Sequence, residues 1–429
     1  MTPQRLFVVS GLCAAVLFTF ITPPFRVPDE VGHFWRAITI ADGHLIPRVE
    51  QQGGAASVSQ GMSTLVFIFW RDAAAARDMR ITREQVRLAR ELPLEPSKRA
   101  RVVFPAGYTP LPYAPQAFAA LIMRPFDVRP IITFYLGRLF NAIAYVVIIA
   151  AAIRVSTTLR WVFTAAALLP MALYLAASWS PDAMTIALSL LLTSLLLRGA
   201  RTTRDLSMIV LCGVLVALCK PAYFLIVLLA IAVPIARRSW RVIILTATAV
   251  ALTVSMWTAS RMPVASRPDA HIDPNAQIEC LEHEPMHFVR AFGSELRFDY
   301  VSQTVGRLGF LDIALPDAII YMEVALLLLC AWSAGATIDA AVRVMSLIIL
   351  VLSVAGIALA SYVGWTPSCA THIDGLQGRY LLPILPIALA VVSAPLIRRE
   401  QFTAVVSLLC AVIANAVALH AVAAKYYLG

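Results

Sequence analysis

Two adjacent carboxylates and a histidine follow the first apolar segment of the chain, in the run PPFRVPDEVGH at residues 23–33. Asp29 and His33 would share one face of a helix, because they are four positions apart. A carboxylate there can remove a proton from an incoming hydroxyl group, so Asp29 and Glu30 are candidate catalytic residues and His33 a candidate substrate contact. The alternative is structural: Asp29 caps a helix that starts near Glu30. On composition alone the cap is the more common explanation.

Two further polar residues lie at the ends of apolar segments. Asp182 follows Ser-Trp-Ser-Pro, where a proline and an acid are ordinary signals for the start of a helix, although an Asp at a membrane rim can also bind sugar hydroxyls. Lys220 precedes Pro221 between two apolar segments. It either extends its charge to the membrane surface or neutralises a lipid phosphate.

A second cluster of candidates is found in the run HIDGLQGRY at residues 372–380. Arg379 offers a planar fork suited to phosphate, and the start of a helix would add partial positive charge beside it. The alternative for Arg379 is an ion pair with Asp374. We assign Gln377 and Tyr380, together with Asp374, to the same substrate site.

Arg307, in the run GRLGFLD at residues 306–312, is a weaker candidate for contact with an anion. The glycines and apolar residues around it indicate, first of all, a tight loop on the membrane surface. His283 and His287 are four positions apart, a spacing that can bind a metal ion on a helix. Nothing else in the sequence completes a recognised metal site, and we predict neither a metal nor another cofactor.

The composition shows what kind of scaffold must hold these residues. Of the 429 residues, 60% are hydrophobic and 14% are charged, and the mean hydropathy is +0.78. Soluble domains carry about 25% charged residues, so the balance indicates a protein embedded in lipid. The net charge of +10 then reflects arginines in cytoplasmic loops rather than binding to nucleic acid.

Eleven apolar segments approach the roughly 20 residues that a spanning helix needs. They are residues 6–22, 131–153, 161–178, 182–198, 206–220, 221–236, 240–260, 317–336, 342–362, 380–397 and 402–423. The pair 206–220 and 221–236 is short, and it forms either two spans or a re-entrant pair. A further stretch, 111–124, is short and contains two prolines.

The arginines predict how these spans are oriented. With a cytoplasmic N-terminus and 111–124 left out of the count, the arginines between spans fall in cytoplasmic loops, whereas counting 111–124 as a crossing would place them outside. These arginines are Arg154, Arg160, Arg198, Arg201, Arg204, Arg237, Arg238, Arg241, Arg343, Arg398 and Arg399. We therefore predict an all-α polytopic membrane protein, a single domain over 1–429 with about eleven spans and its C-terminus outside. The stretch 111–124 would lie in the membrane interface.

All candidate residues then lie on the outer face of the membrane. The topology gives two large outer loops, 23–130 and 261–316, and a smaller one, 363–379, with an amphipathic helix near 82–92. Cys280 and Cys369 lie in two of these loops, where they either form a disulfide in an oxidising compartment or remain two free thiols.

Six stretches of the chain resemble a known family, in that family's order and over nearly the whole length. They are PPFRVPDEVGHF (23–34), FPAGYTPLPYAPQA (104–117), WSPDAM (179–184), KPAY (220–223), GRLGFLD (306–312) and GLQGRYLLPILP (375–386). The family is that of the bacterial membrane proteins called domain of unknown function 2142, whose layout is similar to that of the GT-C glycosyltransferases. Those enzymes use polyprenyl-phosphate sugars and have an outer juxtamembrane helix, which the stretch 111–124 would match.

The resemblance implies a function and a set of roles. In GT-C enzymes an acidic residue of the first outer loop is the catalytic base, which implies that role for Asp29, with Glu30 to orient the acceptor. We expect an inverting glycosyltransferase of the bacterial inner membrane, which moves a sugar from a polyprenyl-phosphate donor to an extracytoplasmic glycan or lipid acceptor. Arg379 and Lys220 would hold the donor phosphate.

Two other classes remain open. A transporter or lipid flippase predicts charged residues at mid-membrane depth and repeat symmetry. Here the span interiors are nearly free of charge, with Glu323 the main exception, and no convincing repeat is present. A glycan polymerase or ligase would share both the membrane layout and the lipid-linked substrates.

Overall fold

The computed structural model describes residues 2–50, 53–70, 80–104, 107–235, 238–260, 272–295 and 299–428. Most of these residues are helical. The α-helices, in chain order, are α1 (Pro3–Ile21), α2 (Glu30–Ala41), α3 (Gln60–Phe69), α4 (Arg83–Glu91), α5 (Ala114–Met123), α6 (Pro130–Val155), α7 (Arg160–Leu168), α8 (Pro170–Ala176), α9 (Asp182–Arg198), α10 (Thr203–Cys219), α11 (Leu229–Ala232), α12 (Arg238–Ser260), α13 (Pro274–His283), α14 (Pro285–Glu295), α15 (Asp299–Gly306), α16 (Asp317–Trp332), α17 (Ala340–Trp365), α18 (Leu385–Val392) and α19 (Glu400–Tyr426). Short 3₁₀ helices cover Leu111–Tyr113, Arg124–Phe126, Pro221–Leu228 and Gly378–Ile384.

Among the described residues, five helices are long and apolar enough to cross a membrane: α1, α6, α12, α17 and α19. Their outward surfaces carry large apolar side chains; Val147 of α6 is 61% exposed and Val351 of α17 is 57% exposed. Such surfaces suit a lipid environment, and a helix satisfies its own backbone hydrogen bonds there. The prediction of a membrane protein with transmembrane helices is therefore confirmed.

The other six predicted spans are also helical, but they are shorter or broken. α9 and α10 have 17 residues each and α16 has 16. At 1.5 Å per residue, 17 residues cover about 25 Å, somewhat less than the roughly 30 Å of a bilayer core. The count of eleven spans therefore stays a prediction.

Proline interrupts the segment 161–178 and separates the segments 206–220 and 221–236. Leu169 and Lys220 both precede a proline and both have extended backbone, with ψ of 138° and 120°, because the ring of a proline disfavours helical backbone in the residue before it. After Lys220 the chain winds back as a 3₁₀ helix, and at Ile235 it forms a bridge with Ala200, beside the start of α10. Residues 203–235 are therefore a tight helical hairpin whose turn lies at Lys220.

The predicted loop 23–130 holds more structure than expected. A three-stranded antiparallel sheet is formed by β1 (Arg48–Glu50), β2 (Gly53–Ser59) and β3 (Arg99–Phe104) in that order. The all-α prediction is wrong here, because Val102 and Phe104 alternate with exposed residues along β3, which is the two-residue period of a half-buried strand. The amphipathic helix predicted near 82–92 is present as α4, with Thr82 and Gln85 forming a capping box.

The stretch 111–124 forms a 3₁₀ turn followed by α5, which packs against α2 and α6. With ten residues, α5 is about 15 Å long, half the thickness of a bilayer core. Its length fits an element that lies beside the spans rather than one that crosses.

The two remaining loops are joined covalently. Cys280 of α13 and Cys369 form a disulfide with a Cα–Cα distance of 5.8 Å, which decides between the two alternatives left by the sequence. Beneath it, Ala291, Tyr362 and Ile373 form a small separate core. After α15, a two-stranded hairpin of β4 (Arg307–Leu308) and β5 (Ile313–Ala314) leads into α16. Residues 261–271 and 296–298 of the predicted loop lie outside the described residues.

Candidate functional site

Asp29 stands immediately before α2, as the sequence predicts, but its side chain does not cap that helix. Within the described residues, no backbone N–H at the start of α2 donates to its carboxylate. Asp29 has a left-handed backbone conformation with φ of 62°, which few residues other than glycine adopt and which Asp tolerates better than most. The side chain is 61% exposed, and this exposed surface opens into a cavity. The carboxylate is thus available for chemistry rather than used as a cap.

Glu30, its neighbour, points into the protein interior. Its side chain and that of Arg138 on α6 are both fully buried, at 0% exposure. Arg138 donates from Nε to Oε1 at 2.9 Å and from Nη2 to Oε2 at 2.7 Å. The guanidinium also donates to the carbonyl oxygens of Thr19, Thr22 and Pro23. This pair ties the end of α1 to α6 and holds the start of α2.

The turn before α9 is tied to the same two helices. The backbone N–H of Trp179 donates to Glu30 Oε1 at 3.2 Å, and Asn141 on α6 donates to the carbonyl oxygens of Ser178 and Ser180. The indole ring of Trp179 lies directly over Gly137, where an added Cβ would be 2.1 Å from the ring. These contacts fix the position of Asp182, the first residue of α9.

Lys220 turns inward at the break between α10 and the following 3₁₀ helix. Its Nζ donates to Asp182 Oδ1 at 2.7 Å, and its side chain is only 15% exposed. The ammonium also lies 4.5 Å from the ring centroid of Tyr380 and 5.9 Å from that of Tyr108, which are cation–π distances. Lys220 therefore belongs to an internal cluster and does not extend into the surroundings.

Arg379 is positioned by the glycine that precedes it. The N–H of Gly378 donates to Gln303 Oε1 at 2.9 Å, and its carbonyl oxygen accepts from Thr304 Oγ1 at 2.8 Å. A Cβ at this position would be 2.2 Å from the carbonyl oxygen of Tyr300. Only glycine allows the backbone to approach α15 so closely, and this approach directs Arg379 towards Asp29.

Four charged side chains form a continuous chain of ion pairs. Arg379 donates from Nη2 to Asp29 Oδ2 at 2.9 Å, and its Nε lies 3.6 Å from Asp182 Oδ2. Asp182 in turn accepts from Lys220. Two carboxylates and two cations alternate, so the formal charge of the cluster is zero. The enclosing cavity wall opposes ionisation of Asp29, but the positive charge of Arg379 and its hydrogen bond outweigh this effect and hold the pKa of Asp29 below its ordinary value.

His33 lies beside this chain and stays neutral. Its Nδ1 is 2.9 Å from the hydroxyl of Tyr113. Burial lowers the pKa of His33 to about 4, although Asp29 and Asp182 act in the opposite direction. Burial also raises the pKa of Tyr113 well above its ordinary value, so the phenol keeps its proton and can donate it to Nδ1. The remaining proton of the neutral imidazole then belongs on Nε2.

These residues line one cavity of about 660 Å³, within the usual range for small-molecule sites. Asp29, His33, Asp182, Lys220, Gln377, Arg379 and Tyr380 all contribute to its wall. Five further aromatic residues belong to the wall: Phe25, Trp70, Tyr108, Phe310 and Trp365. Two polar atoms within the described wall, Arg379 Nε and Gln377 Oε1, are buried without a hydrogen-bond partner. A site with charged groups, unsatisfied polar atoms and aromatic rings is suited to an anionic, hydroxyl-bearing ligand.

Three predicted candidates do not belong to the chain of ion pairs. Arg307 pairs with Asp299 at 2.5 Å and is not part of the cavity wall. Asp374 lies 3.7 Å from His372, so it is not the partner of Arg379. Glu30 borders the cavity, but both of its carboxylate oxygens are bound by Arg138.

The possible metal pair is also separated. His283 is the last residue of α13, whereas His287 belongs to α14, where it pairs with Glu284 at 2.5 Å. No group of three or more His, Cys, Asp or Glu residues in the described part of the chain is arranged to hold a metal ion.

Sequence reasoning missed several residues that build the site. Tyr108 and Tyr113 belong to the stretch FPAGYTPLPYAPQA, whose tyrosines and prolines were a usable signal. Arg138, within an apolar segment, was a second one, because a buried arginine in a span needs a carboxylate partner. Trp70 and Trp365 carried no local signal.

Comparison with other proteins gives a family and nothing more specific. No curated protein and no solved structure matches the chain. A family model described as a predicted membrane protein, domain of unknown function 2142, matches residues 12–388. This range contains every residue of the cavity wall and most of the helices, and the chain therefore belongs to the domain of unknown function 2142 family of membrane proteins.

Proposed function

We propose that this protein is an inverting glycosyltransferase that moves a sugar from a polyprenyl-phosphate donor to an extracytoplasmic glycan or lipid acceptor. One observation carries the proposal. A half-exposed carboxylate, Asp29, and two enclosed cations, Lys220 and Arg379, face the same cavity. Transfer from a sugar phosphate needs both kinds of group, a base for the acceptor and positive charge for the departing phosphate.

Asp29 is the proposed general base. It takes the proton of the acceptor hydroxyl while the acceptor oxygen forms a bond to the anomeric carbon of the donor sugar. The bond between that carbon and the phosphate oxygen breaks, and the phosphate leaves with the electron pair. The pKa of Asp29 lies below the ordinary value of an aspartate, so Asp29 is ionised at neutral pH and able to accept the proton.

Arg379 and Lys220 are the proposed phosphate contacts. Arginine presents a planar fork that matches phosphate oxygens, and lysine adds a point charge. Both cations are anchored by Asp182, so their positions do not depend on the ligand. Preorganised charge of this kind stabilises the negative charge that develops on the leaving group.

The remaining wall residues are assigned to the sugar and the acceptor. His33, with a proton on Nε2, and Gln377, with a free carbonyl oxygen, can bind hydroxyl groups as donor and acceptor. Tyr380 covers Lys220. Glu30 supports the site from behind through Arg138 and takes no part in proton transfer.

We further propose that the cavity opens on the extracytoplasmic side of the bacterial inner membrane, with the N-terminus in the cytoplasm, the C-terminus outside and about eleven spans. The helices that reach the cavity support this orientation. α9 begins at Asp182 on the cavity and ends at Arg198, and α17 begins near Arg343 and ends at Trp365 on the cavity wall. The ends of α9 and α17 that lie away from the cavity thus carry arginines, as expected for cytoplasmic ends. A disulfide at Cys369, in the loop that precedes Arg379 in the chain, is consistent with an oxidising compartment.

The proposed partners are the polyprenyl-phosphate sugar, the acceptor and membrane lipids, with no nucleic acid. The mechanism uses side chains only and assigns no cofactor.

The proposal is tested by transfer of radiolabelled sugar from a polyprenyl-phosphate donor by the purified protein in lipid. Asp29→Asn removes the base and keeps the shape, and we expect it to lower the rate by about 10²–10⁴-fold. Asp317→Asn is the matched control, because Asp317 is exposed at the start of α16 and does not line the cavity. Full transfer by Asp29→Asn would exclude Asp29 as the base.

A transporter or lipid flippase is the second candidate, and Glu323 favours it. This carboxyl lies on α16, is 2% exposed, and has an oxygen without a hydrogen-bond partner in the described structure. Buried ionisable groups among apolar helices often belong to transport pathways. Flux of a lipid-linked sugar in proteoliposomes, compared between wild type and Glu323→Gln, separates this class from transfer. Product length distinguishes a polymerase or ligase from an enzyme that adds a single sugar.

A further inference from the structure

The proposed base and the proposed phosphate contact are bound to each other. Arg379 donates from Nη2 to Asp29 Oδ2 at 2.9 Å. An arginine that forms this hydrogen bond cannot use the same donor for phosphate, and a carboxylate paired with an arginine is a weak base. The arrangement in the structure is therefore not the one in which transfer takes place.

The two partners differ in how easily they can separate. Asp29 is 61% exposed towards the cavity, whereas the side chain of Arg379 is 4% exposed. Arg379 keeps a second carboxylate, Asp182, 3.6 Å from its Nε, and Asp182 is itself held by Lys220 at 2.7 Å. If the pair opens, Asp29 is the partner that moves and Arg379 stays in place.

The charge of the cavity shows what would open it. The two carboxylates and the two cations of the ion-pair chain cancel, and His33 is neutral. A phosphate that enters this neutral cluster is attracted to Arg379 and repelled by Asp29. Opposite charges a few ångströms apart attract strongly where little water separates them, so phosphate and carboxylate compete for the same cation.

We propose that the donor phosphate displaces Asp29 from Arg379, so that the base is released only when the donor is bound. This inference rests on the proposed function and adds an order of events, in which the donor binds before the acceptor is deprotonated. Displacement removes the contact that lowers the proton affinity of Asp29, and the freed carboxylate becomes a stronger base in the presence of its substrate. The same competition keeps the base inactive in the empty site.

If the phosphate competes with Asp29, the Asp29→Asn variant should be inactive in transfer and yet bind the donor lipid more tightly than wild type. The experiment measures binding of a polyprenyl monophosphate, without sugar, to the full-length protein in detergent by isothermal titration calorimetry. Asp29→Asn removes the competing charge, and we expect it to bind at least about fivefold more tightly than wild type, the lower end of usual coupling between sites. Asp317→Asn, outside the cavity, should bind as wild type does.

A second variant separates competition from a general effect of charge. Asp182→Asn also removes a negative charge from the cavity, but it releases the anchor of Lys220 and Arg379, so we expect weaker binding. Tighter binding by both variants, or unchanged or weaker binding by Asp29→Asn, would overturn the inference.

The outcomes also distinguish the inference from the proposed function. If Asp29→Asn is inactive in transfer but binds the lipid no better than wild type, the inference alone fails. If that variant transfers sugar at the normal rate, the base assignment fails. If neither wild type nor Asp29→Asn binds the lipid, both the proposed donor class and the proposed displacement are wrong.

Discussion

Asp29 and Glu30 are neighbours in the chain, yet they belong to two ion-pair clusters with different properties. Glu30 and Arg138 are completely buried, and both carboxylate oxygens of Glu30 accept from Arg138. Asp29 faces a cavity, and its partner Arg379 has an Nε without a hydrogen bond. The left-handed backbone at Asp29 sends the two side chains in opposite directions.

The difference separates a cluster enclosed in the protein interior from one that borders a cavity. Charges without access to water are retained only when every partner is present, because each lone charge carries a large desolvation penalty. A cluster beside a cavity can exchange one partner for another, since a ligand or water replaces what is lost. Four substitutions test this distinction, in order of expected effect.

Arg138→Ala should produce the largest loss of stability. It leaves the carboxylate of Glu30 buried without its counter-charge, which usually costs about 3–5 kcal/mol. Thermal or chemical unfolding of the purified protein in detergent measures this loss. Asp29→Asn serves as the comparison and should cost less than about 1 kcal/mol, because Asp29 is largely exposed. Equal losses for the two variants would contradict the division into two kinds of cluster.

Gly378→Ala tests whether close backbone packing positions Arg379. The added Cβ would be 2.2 Å from the carbonyl oxygen of Tyr300, so the backbone must move, at a cost of about 1–3 kcal/mol. Gly364→Ala is the matched control, since a Cβ there meets nothing within 4 Å. We expect only Gly378→Ala to lower both the melting temperature and the affinity for polyprenyl phosphate. If Gly378→Ala lost stability but kept normal lipid affinity, the close backbone packing at Gly378 would not be what positions Arg379.

His33 predicts a dependence of stability on pH. Its pKa is about 4 in the folded protein and about 6.5 when unfolded, so the folded state binds fewer protons. Its contribution to stability is complete above pH 6.5 and declines as the pH falls towards 4. Between pH 6.5 and pH 5 the decline amounts to about 2 kcal/mol.

The check is unfolding at pH 7 and pH 5 for wild type and His33→Gln, which keeps an acceptor for Tyr113. The variant should lose about 2 kcal/mol less than wild type over this interval. Asp29 does not interfere, because its lowered pKa confines its titration to a more acidic range. An identical loss in both proteins would mean that His33 is not the titrating group.

Arg307→Gln should have the smallest effect. The side chains of Arg307 and Asp299 are 32% and 49% exposed, and ion pairs with such exposure typically contribute between 0 and about 1 kcal/mol. Unfolding in detergent at low and high salt measures the contribution, which should decrease further with salt. If Arg307→Gln lost as much stability as Arg138→Ala, the exposure of an ion pair would not indicate how much it stabilises the fold.

Much of the scaffold could be predicted from local pattern. Each predicted apolar segment is mostly helical within the described residues, and α2 begins at Glu30. The helices near 82–92 and 111–124 also appear where the sequence predicts them. The sheet of β1, β2 and β3 was missed because its strands are short and far apart in the chain, so their pairing depends on contacts that no local window contains.

The candidate site was predicted in part. Asp29, Asp182, Lys220 and Arg379 do share one cavity, but their pairing was not predicted, since Arg379 binds Asp29 rather than Asp374. The pairing of Arg138 was not predicted, because a charge in a long apolar helix indicates that it needs a partner but not which residue that partner is. The partner, Glu30, lies 108 positions away in the chain.

The sequence alone determined that this is a membrane protein with mostly helical structure and with its polar residues at the ends of apolar segments, because hydrophobic composition and segment length are local properties. Only the tertiary structure decided which of two adjacent carboxylates faces a cavity and which is buried, because one backbone conformation at Asp29 and a distant arginine control the direction of each side chain. The same holds for the disulfide and for the pairing of Asp29 with Arg379, which depend on distances between residues remote in the chain.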